Sequence, residues 1–241
     1  MKRSPPVVLA EDPPRPHEGR DAGPPLRDRR DAGERLARRL EHLAPQRPVV
    51  LGLPRGGVVV GYEIARHLAV PLDVLIVRKI GAPDNPEYGL GAVAEDGTQL
   101  LDEARVREAG YTMQDLAPVI DREIREIRRR AAAYRDGQPA PELTDRVVVL
   151  VDDGVATGVT LRCAILSARA RRPARIVVAL GVAPPDILST LAALTEEVVV
   201  CATPEPFFAV GEWYREFDAV PDAEVRRLLS AARRPGPVPV R

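Results

Sequence analysis

Short apolar runs alternate with helical patterns along most of this chain, and this alternation limits the possible folds more than any other feature. The runs PVVLGL (48–53), VVVLV (147–151) and RIVVALGV (175–182) are apolar at consecutive positions. A strand with one face in solvent would instead alternate apolar and polar residues. The pattern therefore predicts an α/β fold, a parallel sheet with helices on both faces. In such sheets ligands bind beyond the carboxyl ends of the strands.

The other strands and helices are indicated by the same two kinds of pattern. Strands are predicted at LDVLIV, TQLL and EVVVCA, which are residues 72–77, 98–101 and 197–202. Helices are predicted after a capping-box pattern at Asp31 and Glu34, after the turn at 54–57, over 116–135, from about 158, over 185–194 and from Asp222.

The two ends of the chain differ in composition from the region between them. Residues 1–26 contain repeated Pro-Pro pairs and no apolar periodicity, which predicts a disordered Pro-rich tail. Residues 236–241 are predicted to be a flexible tail for the same reason. Neither a repeat nor a linker divides residues 27–235, which we interpret as one domain with the long helix at 116–135 inserted in it.

Charge and cysteine content exclude several classes of protein. The 35 basic residues equal the 35 acidic ones, so no overall charge attracts nucleic acid or an anionic membrane. The arginines of the long helix alternate with acidic residues, which favours a solvated face over an RNA-binding patch. No apolar run approaches the roughly 20 residues of a membrane span, and no signal peptide is indicated. Cys163 and Cys201 lie in apolar runs, so we expect buried free thiols and a cytoplasmic location.

Two adjacent aspartates, Asp152 and Asp153, end the most apolar strand in the sequence VVVLVDDGVATGVT (147–160). Neighbouring strand residues point to opposite faces, so both carboxylates can serve one site only where the chain leaves the strand, and Gly154 permits that departure. ATGVT (156–160) then opens a helix, whose free N–H groups bind anions. Carboxylates accept hydrogen bonds from hydroxyl groups, so the segment as a whole suits a sugar phosphate.

Other interpretations of the segment are less favourable. Asp153 could simply cap the following helix, although one residue would suffice for that. A P-loop is excluded because GVATGVT has no lysine after its second glycine. No G-x-G-x-x-G sequence opens a helix, so a dinucleotide fingerprint is also absent.

VVVLVDDGVATGVT resembles the signature with which type I phosphoribosyltransferases bind phosphoribosyl pyrophosphate (PRPP). The resemblance implies that Asp152 and Asp153 bind the ribose hydroxyls and act as catalytic residues. It further implies that the 5′-phosphate is bound by the loop residues Ala156, Thr157, Gly158, Val159 and Thr160. Two residues depart from the family pattern. Gly154 replaces an apolar residue, and Ala156 replaces the proton-transfer aspartate of the hypoxanthine-guanine enzymes.

Three further segments are similar to parts of the same family. LGLPRGG (51–57) resembles its pyrophosphate loop, which implies pyrophosphate binding by Arg55, Gly56 and Gly57 and a cis peptide bond between Pro54 and Arg55. VRKIG (77–81) is similar to a segment of the adenine enzymes, which implies that Arg78 and Lys79 also bind pyrophosphate. Ordinary strand-end charges are an equally good interpretation of these two residues.

The remaining similar segments concern the acceptor. APDNPEYGLGAV (82–93) resembles the mobile catalytic loop, in which Glu87 would protonate the base. TPEPFFAVGEWYREF (203–217) resembles the small hood of the purine enzymes, which implies base binding by Phe208, Val210 and Trp213. Arg215 stands where the family has its base-reading aspartate, and this departure counts against purine specificity.

The resemblance implies a phosphoribosyltransferase, a glycosyltransferase that transfers the phosphoribosyl group of PRPP to a nucleobase, a purine by its nearest motifs, and releases pyrophosphate. Mg²⁺ is the implied cofactor, bound mostly by substrate oxygens and indirectly by Asp152 and Asp153. A homodimer is expected, with neither nucleic acid nor a membrane as partner. A catalytically weak regulatory protein that binds PRPP or a nucleotide is the alternative, and transfer to a different acceptor is a third interpretation.

Overall fold

The computed structural model of the chain describes residues 7–9 and 26–233. The strands are β1 (Val7–Leu9), β2 (Val49–Gly52), β3 (Leu72–Val74), β4 (Val77–Gly81), β5 (Gly89–Ala94), β6 (Gln99–Leu101), β7 (Val147–Gly154), β8 (Arg175–Val182) and β9 (Glu197–Ala202). The α-helices are α1 (Arg29–Arg39), α2 (Gly56–Leu68), α3 (Glu103–Glu108), α4 (Met113–Arg135), α5 (Val159–Ala170), α6 (Pro185–Leu194) and α7 (Asp222–Arg233). Short 3-10 helices occupy Glu41–Gln46 and Val210–Trp213.

A parallel sheet forms the centre of the fold, in the strand order β1-β9-β8-β7-β2-β3. Alternate residues of β7 lie in two separate cores. Val149 and Val151 pack on the side of α1, α2, α4 and α7, whereas Val148 and Leu150 pack on the side of α5 and α6. The sheet is therefore covered by helices on both faces, which confirms the predicted fold class and explains why these strands are apolar throughout.

A second sheet, which the sequence did not indicate, consists of β4, β5 and β6 in antiparallel order. The run at 72–77, predicted as one strand, is divided between β3 in the main sheet and the first residue of β4. Residues 89–93, predicted as part of a mobile loop, belong to β5. Both predictions were wrong in extent, because periodicity in a short apolar run does not show where the chain changes sheets.

The first helix begins three residues earlier than the capping pattern predicts. Asp28 is the N-cap of α1, and its carboxylate accepts a hydrogen bond at 2.8 Å from the N–H of Asp31. The sequence places an acidic side chain at both 28 and 31, three residues apart, so the same capping signal fits two registers. The earlier register brings Arg29 into the first turn of the helix.

Part of the N-terminal segment enters the fold. Val7–Leu9, inside the predicted tail, pairs with Val198–Val200 of β9. Leu26 is fully buried and forms a bridge with Tyr214. The other residues of the predicted tail and residues 236–241 lie outside the described residues, and the domain limits at 27 and 235 remain predictions.

The inserted helix α4 packs its apolar stripe on the core, with Leu116, Ile120, Ile127 and Tyr134 buried. Its opposite face exposes most of its arginines, and Arg129 and Arg130 pair with Glu126. No helix among the described residues is both long and apolar enough to cross a membrane. Cys163 and Cys201 are free and buried, and burial raises the pKa of each thiol to about 12.

Arg135, the last residue of α4, connects the two sheets through buried ion pairs. Its guanidinium lies 3.1 Å from the Asp73 carboxylate of β3 and 2.9 Å from the Glu95 carboxylate that follows β5. It also donates a hydrogen bond to the carbonyl of Val74 at 2.8 Å. Both carboxylates therefore depend on one buried cation for their charge balance.

Arg135→Ala should lower the free energy of unfolding by about 3–5 kcal/mol, because it leaves two buried carboxylates unpaired. Arg129→Ala is the matched control from the same helix; its pair with Glu126 is largely exposed, so a change within about 0.5 kcal/mol is expected. Urea unfolding of the two variants measures the difference. Equal and small losses would show that Arg135 does not stabilise the junction between the sheets.

Candidate functional site

The acidic pair lies at the carboxyl end of β7, in the middle of the parallel sheet. The strand continues through Gly154, since Asp152 pairs in register with Leu180 and Gly154 with Val182. The chain therefore does not leave the strand directly after the pair, as the sequence had suggested. Both carboxylates can contribute to one binding site because the loop after β2 approaches both of them.

This loop is the segment Pro54–Gly57, which ends at the first turn of α2. A Cβ atom on Gly56 would overlap the Oδ2 atom of Asp153, and a Cβ atom on Gly57 would lie 3.1 Å from Oδ1 of Asp152. Only residues without a side chain can lie so close to the two carboxylates. The peptide bond between Pro54 and Arg55 is cis, which confirms that prediction.

Arg29 forms an ion pair with one member of the acidic pair and was not among the residues predicted from the sequence. Its Nε atom donates a hydrogen bond to Oδ2 of Asp153 at 2.6 Å, and the two side chains are only 12% and 14% exposed. The guanidinium also lies 3.8 Å from the ring centroid of Phe217. The only sequence signal was a dense run of charges at 27–31, which is also the pattern of an ordinary helix start.

Asp152 has a different environment from its neighbour. Its carboxylate accepts a hydrogen bond at 2.9 Å from the N–H of Asp153. Burial, together with the adjacent Asp153 carboxylate, raises the pKa of Asp152 well above its ordinary value, and Arg29 opposes this rise. Within the described residues, Asp153 thus forms an ion pair and Asp152 forms none. The two carboxylates can accept hydrogen bonds from the hydroxyl groups of a ligand.

The helices α2 and α5 both begin at this end of the sheet, and neither has a side-chain cap. The N-cap residues are Arg55 and Gly158, and neither makes a capping hydrogen bond. The helix α6 also begins without a side-chain cap, at Pro184, whereas α1, α3 and α4 are capped by Asp28, Asp102 and Thr112. Asp153 lies six residues before α5 and pairs with Arg29, so it is not a helix cap. The uncapped starts of α2 and α5, which follow the neighbouring strands β2 and β7, offer N–H groups to anions beside the acidic pair.

Residues 156–160 form the approach to α5. Ala156 and Thr157 are exposed, Gly158 is buried, and Val159 and Thr160 are half-buried in the first turn of the helix. The backbone N–H groups of this turn and two threonine hydroxyls are therefore close together in the chain at one uncapped helix start. This arrangement suits a phosphate group.

The structure separates the basic residues that were predicted to bind pyrophosphate. Arg55 is exposed within the loop 54–57 and makes no ion pair within the described residues. Arg78, on β4, forms an ion pair with the buried Glu123 of α4. Lys79 is exposed on the same strand. Neither Arg78 nor Lys79 makes a hydrogen bond to the acidic pair in the parts of the chain that are described.

Glu87 lies in a short exposed loop between β4 and β5. The loop folds back on itself, since the N–H of Ala82 donates to the carbonyl of Tyr88 at 2.9 Å. The Tyr111 hydroxyl donates to the Asp84 carboxylate and connects the loop to the segment before α4. Glu87 is thus accessible and makes no hydrogen bond to the acidic pair in the described part of the chain, and its role stays a prediction.

The hood consists of residues 203–217 and lies over the end of β7. Val210 packs on Gly154, where a Cβ atom would lie 2.5 Å from Cγ1 of Val210 and 2.7 Å from Cγ2 of Val182. This close contact explains why glycine occupies a position that is apolar in the family the sequence resembles. The Tyr214 hydroxyl donates to the Asp153 carbonyl at 2.5 Å, which adds a second connection between hood and strand.

Two aromatic residues of the hood have distinct environments. Phe208 is 77% exposed, which is unusual for so large an apolar side chain. Trp213 is half-buried, and its indole N–H is buried without a hydrogen-bond partner among the described residues. Phe208 therefore offers a ring face to a ligand, whereas Trp213 is already packed against the domain.

No group of three or more His, Cys, Asp or Glu side chains within residues 7–9 and 26–233 is arranged to bind a metal ion. The acidic pair provides two carboxylates, one of which is engaged by Arg29. These residues fit an ion that takes most of its ligands from a bound substrate and from water, as Mg²⁺ usually does.

Known proteins share both the sequence and the fold of this chain. A family model described as a phosphoribosyl transferase domain matches residues 28–211. A Mycobacterium tuberculosis protein, provisionally named a phosphoribosyl transferase, is 45% identical over 207 residues, which are 86% of this chain and 47% of the relative. The crystal structure of TT1426 from Thermus thermophilus is 46% identical with a TM-score of 0.72, and the match covers 85% of this chain and 97% of that one.

The chain spans about half the length of the curated relatives that it matches, 47% of each. The similarity therefore identifies the domain and its fold. The similarity does not identify the acceptor, the full reaction or any assembly of chains.

Gly154→Ala should lower the free energy of unfolding by about 1–3 kcal/mol, because the added methyl group would overlap Val210 and Val182. Val210→Ala in the same chain should recover part of this loss, since the two side chains compete for one space. Chemical unfolding of wild type, both single variants and the double variant measures the coupling. Strict additivity of the two effects would contradict the contact.

Proposed function

Because the chain belongs to the phosphoribosyl transferase domain family, we propose that it is a glycosyltransferase that moves the 5-phosphoribosyl group of PRPP to a nucleobase and releases pyrophosphate. One observation carries the proposal: two adjacent carboxylates lie beside two uncapped helix starts at the end of β7. PRPP has ribose hydroxyls for the former and two separate phosphate groups for the latter. Few other metabolites combine these groups.

Each part of PRPP has a suitable set of residues. The ribose hydroxyls would donate hydrogen bonds to Asp152 and Asp153, and the 5′-phosphate would accept them from residues 156–160. The pyrophosphate would lie at Arg55, Gly56 and Gly57, at the uncapped start of α2, where the exposed Arg55 guanidinium adds positive charge. Arg78 pairs with Glu123, so its participation, with that of Lys79, requires this pair to open or to be shared.

The reaction needs little covalent participation by the protein. Positive charge develops at the sugar carbon as its bond to pyrophosphate lengthens, so nearby carboxylates stabilise the transition state more than the bound substrate. Asp152 forms no ion pair within the described residues, so its charge would act on the developing cation once ribose hydroxyls and Mg²⁺ stabilise its ionised form. Mg²⁺, bound through substrate oxygens and water, would supply charge compensation for the leaving pyrophosphate.

The hood is the proposed acceptor site. Phe208 presents an exposed ring near the carboxyl end of the sheet, and stacking of a base on such a ring contributes about 1–3 kcal/mol. Val210 and Trp213 would line the same pocket. Glu87 is the candidate proton-transfer residue: it would take up the proton that the base loses as its nitrogen bonds to the sugar, and would return it to the base in the reverse reaction. A purine is the acceptor that the hood motif favours, although Arg215 is exposed where a base-reading aspartate is expected.

A regulatory protein that binds PRPP or a nucleotide without turnover is the second candidate. It is favoured by Ala156, which cannot transfer a proton, and by the absence of lysine and arginine from the loop at 82–88. A cytoplasmic location and a homodimer also remain proposals, and the two buried free thiols support the former.

Asp152→Asn separates the two candidates, because it keeps the shape of the side chain and removes its charge. In an enzyme, pyrophosphate release with PRPP, Mg²⁺ and the best base should fall about 100-fold or more, whereas the PRPP dissociation constant changes by less than about tenfold. Calorimetry measures PRPP binding, and a screen of nucleobases for PRPP-dependent pyrophosphate release measures turnover.

A regulatory protein would bind PRPP but release no pyrophosphate with any base, and Asp152→Asn would then change affinity alone. Asp121→Asn is a control with the same chemical change on an exposed residue of α4, outside the proposed site, and wild-type values are expected. If the wild type does not bind PRPP, both candidates are wrong.

Phe208→Ala tests the acceptor site with little risk to folding, since the ring is 77% exposed. The Michaelis constant for the base should rise about 5- to 100-fold, in line with the loss of one stacking contact, while PRPP affinity and melting temperature stay unchanged. Met113→Ala, which removes another exposed apolar side chain, should change neither constant. Equal losses of PRPP and base affinity would place the acceptor elsewhere.

A further inference from the structure

Arg29 contacts both halves of the proposed active site at once. One arm of its guanidinium, Nε, bonds Oδ2 of Asp153 at 2.6 Å, while another, Nη1, donates to the carbonyl of Asp218 at 2.8 Å. The central carbon of the guanidinium, Cζ, lies 3.8 Å from the centroid of the Phe217 ring. The side chain of Arg29 therefore connects Asp153, the proposed ribose-binding carboxylate, to the end of the hood at Phe217 and Asp218.

The chain around Arg29 is also attached to the hood. The N–H of Arg215 donates to the carbonyl of Leu26 at 3.0 Å, and the N–H of Glu216 donates to that of Arg27 at 2.9 Å. Phe217 in turn stacks on Tyr214, with ring centroids 4.9 Å apart. The hood, the start of α1 and Asp153 thus form one continuous set of contacts, with Arg29 at its centre.

An ion pair that only stabilised the fold would not need to lie beside the proposed ligand site. Arg29 lies beside the proposed pyrophosphate loop, since a Cβ atom on Gly56 would be 2.8 Å from its Nε atom. A ligand hydroxyl that bonds Asp153 must share that carboxylate with Arg29. Any shift of the guanidinium then acts on Asp218 and Phe217, because one planar group makes all three contacts.

We propose that Arg29 is a positioning residue that couples occupation of the ribose site at Asp153 to the placement of the hood, and so to the acceptor site. The inference rests on the proposed function, because it takes PRPP as the ligand of Asp153. This role explains why the buried guanidinium of Arg29 pairs with Asp153, a carboxylate that would otherwise be free to bind the substrate. Arg29 acts through Asp153 and the hood and takes no part in bond making.

Trp213, the single tryptophan of the chain, lies in the hood and reports on its placement. PRPP with Mg²⁺ should change the emission of Trp213 in the wild-type protein. Arg29→Lys keeps a positive charge, but a compact ammonium group cannot reach both Asp153 and Asp218 as the guanidinium does. This variant should bind PRPP within about threefold of wild type and lose most of the emission change.

Arg29→Ala removes the charge as well. Its PRPP affinity should fall at least about tenfold, because an unpaired Asp153 carboxylate repels the phosphates of the ligand, and the emission change should be absent. Arg30→Ala is the matched control. Its side chain is 57% exposed and lies 3.9 Å from Glu224, so it should behave as wild type in both measurements. If Arg29→Ala does not fold, Arg29→Lys and Arg30→Ala still decide the question.

The experiment is a titration of each protein with PRPP and Mg²⁺, followed in parallel by calorimetry and by Trp213 emission. A wild-type emission change that survives in Arg29→Lys, or that Arg30→Ala abolishes equally, overturns the coupling. Wild-type binding of PRPP without any emission change also overturns it but leaves the proposed function intact. No binding of PRPP by the wild type overturns the proposed function and the coupling together.

Discussion

The close contact between the loop at Gly56–Gly57 and the carboxyl end of β7 is the constraint on which the site depends. A Cβ atom at either glycine would overlap or crowd Asp152, Asp153 or the Val151 carbonyl. The two strands that carry these segments, β2 and β7, are neighbours in the sheet. Parallel pairing therefore places the start of α2 beside the acidic pair, and the glycines allow the backbone itself to form the wall of the site.

The two carboxylates of this site differ in their charge balance, and this difference bears on ligand binding. Two carboxylates at adjacent positions repel each other, and burial adds to the cost of their ionisation. Arg29 forms an ion pair with Asp153, whereas burial and the neighbouring carboxylate raise the pKa of Asp152. A ligand that brings hydroxyl groups and a divalent cation would stabilise the ionised pair, so binding and charge balance are linked at this site.

Much of this arrangement was predictable from the residues. The apolar strands, the order of most helices, and the acidic pair before a helix start were all visible in the sequence, and the cis bond at Pro54–Arg55 followed from the family resemblance. The antiparallel sheet was not predictable, because β4 continues the apolar run of β3 without a break in pattern. Arg29 was not predictable either, since its partner is 124 positions away.

The sequence by itself determined the class of fold and the chemical groups of the site, because strand and helix periodicity and local motifs are properties of neighbouring residues. Tertiary structure alone decided how those groups are used: Arg78 pairs with Glu123 on α4, and Gly154 is required by Val210 of the hood. These outcomes depend on contacts between segments far apart in the chain. The local sequence pattern does not show which distant residues come into contact, because the packing of the complete domain determines those contacts.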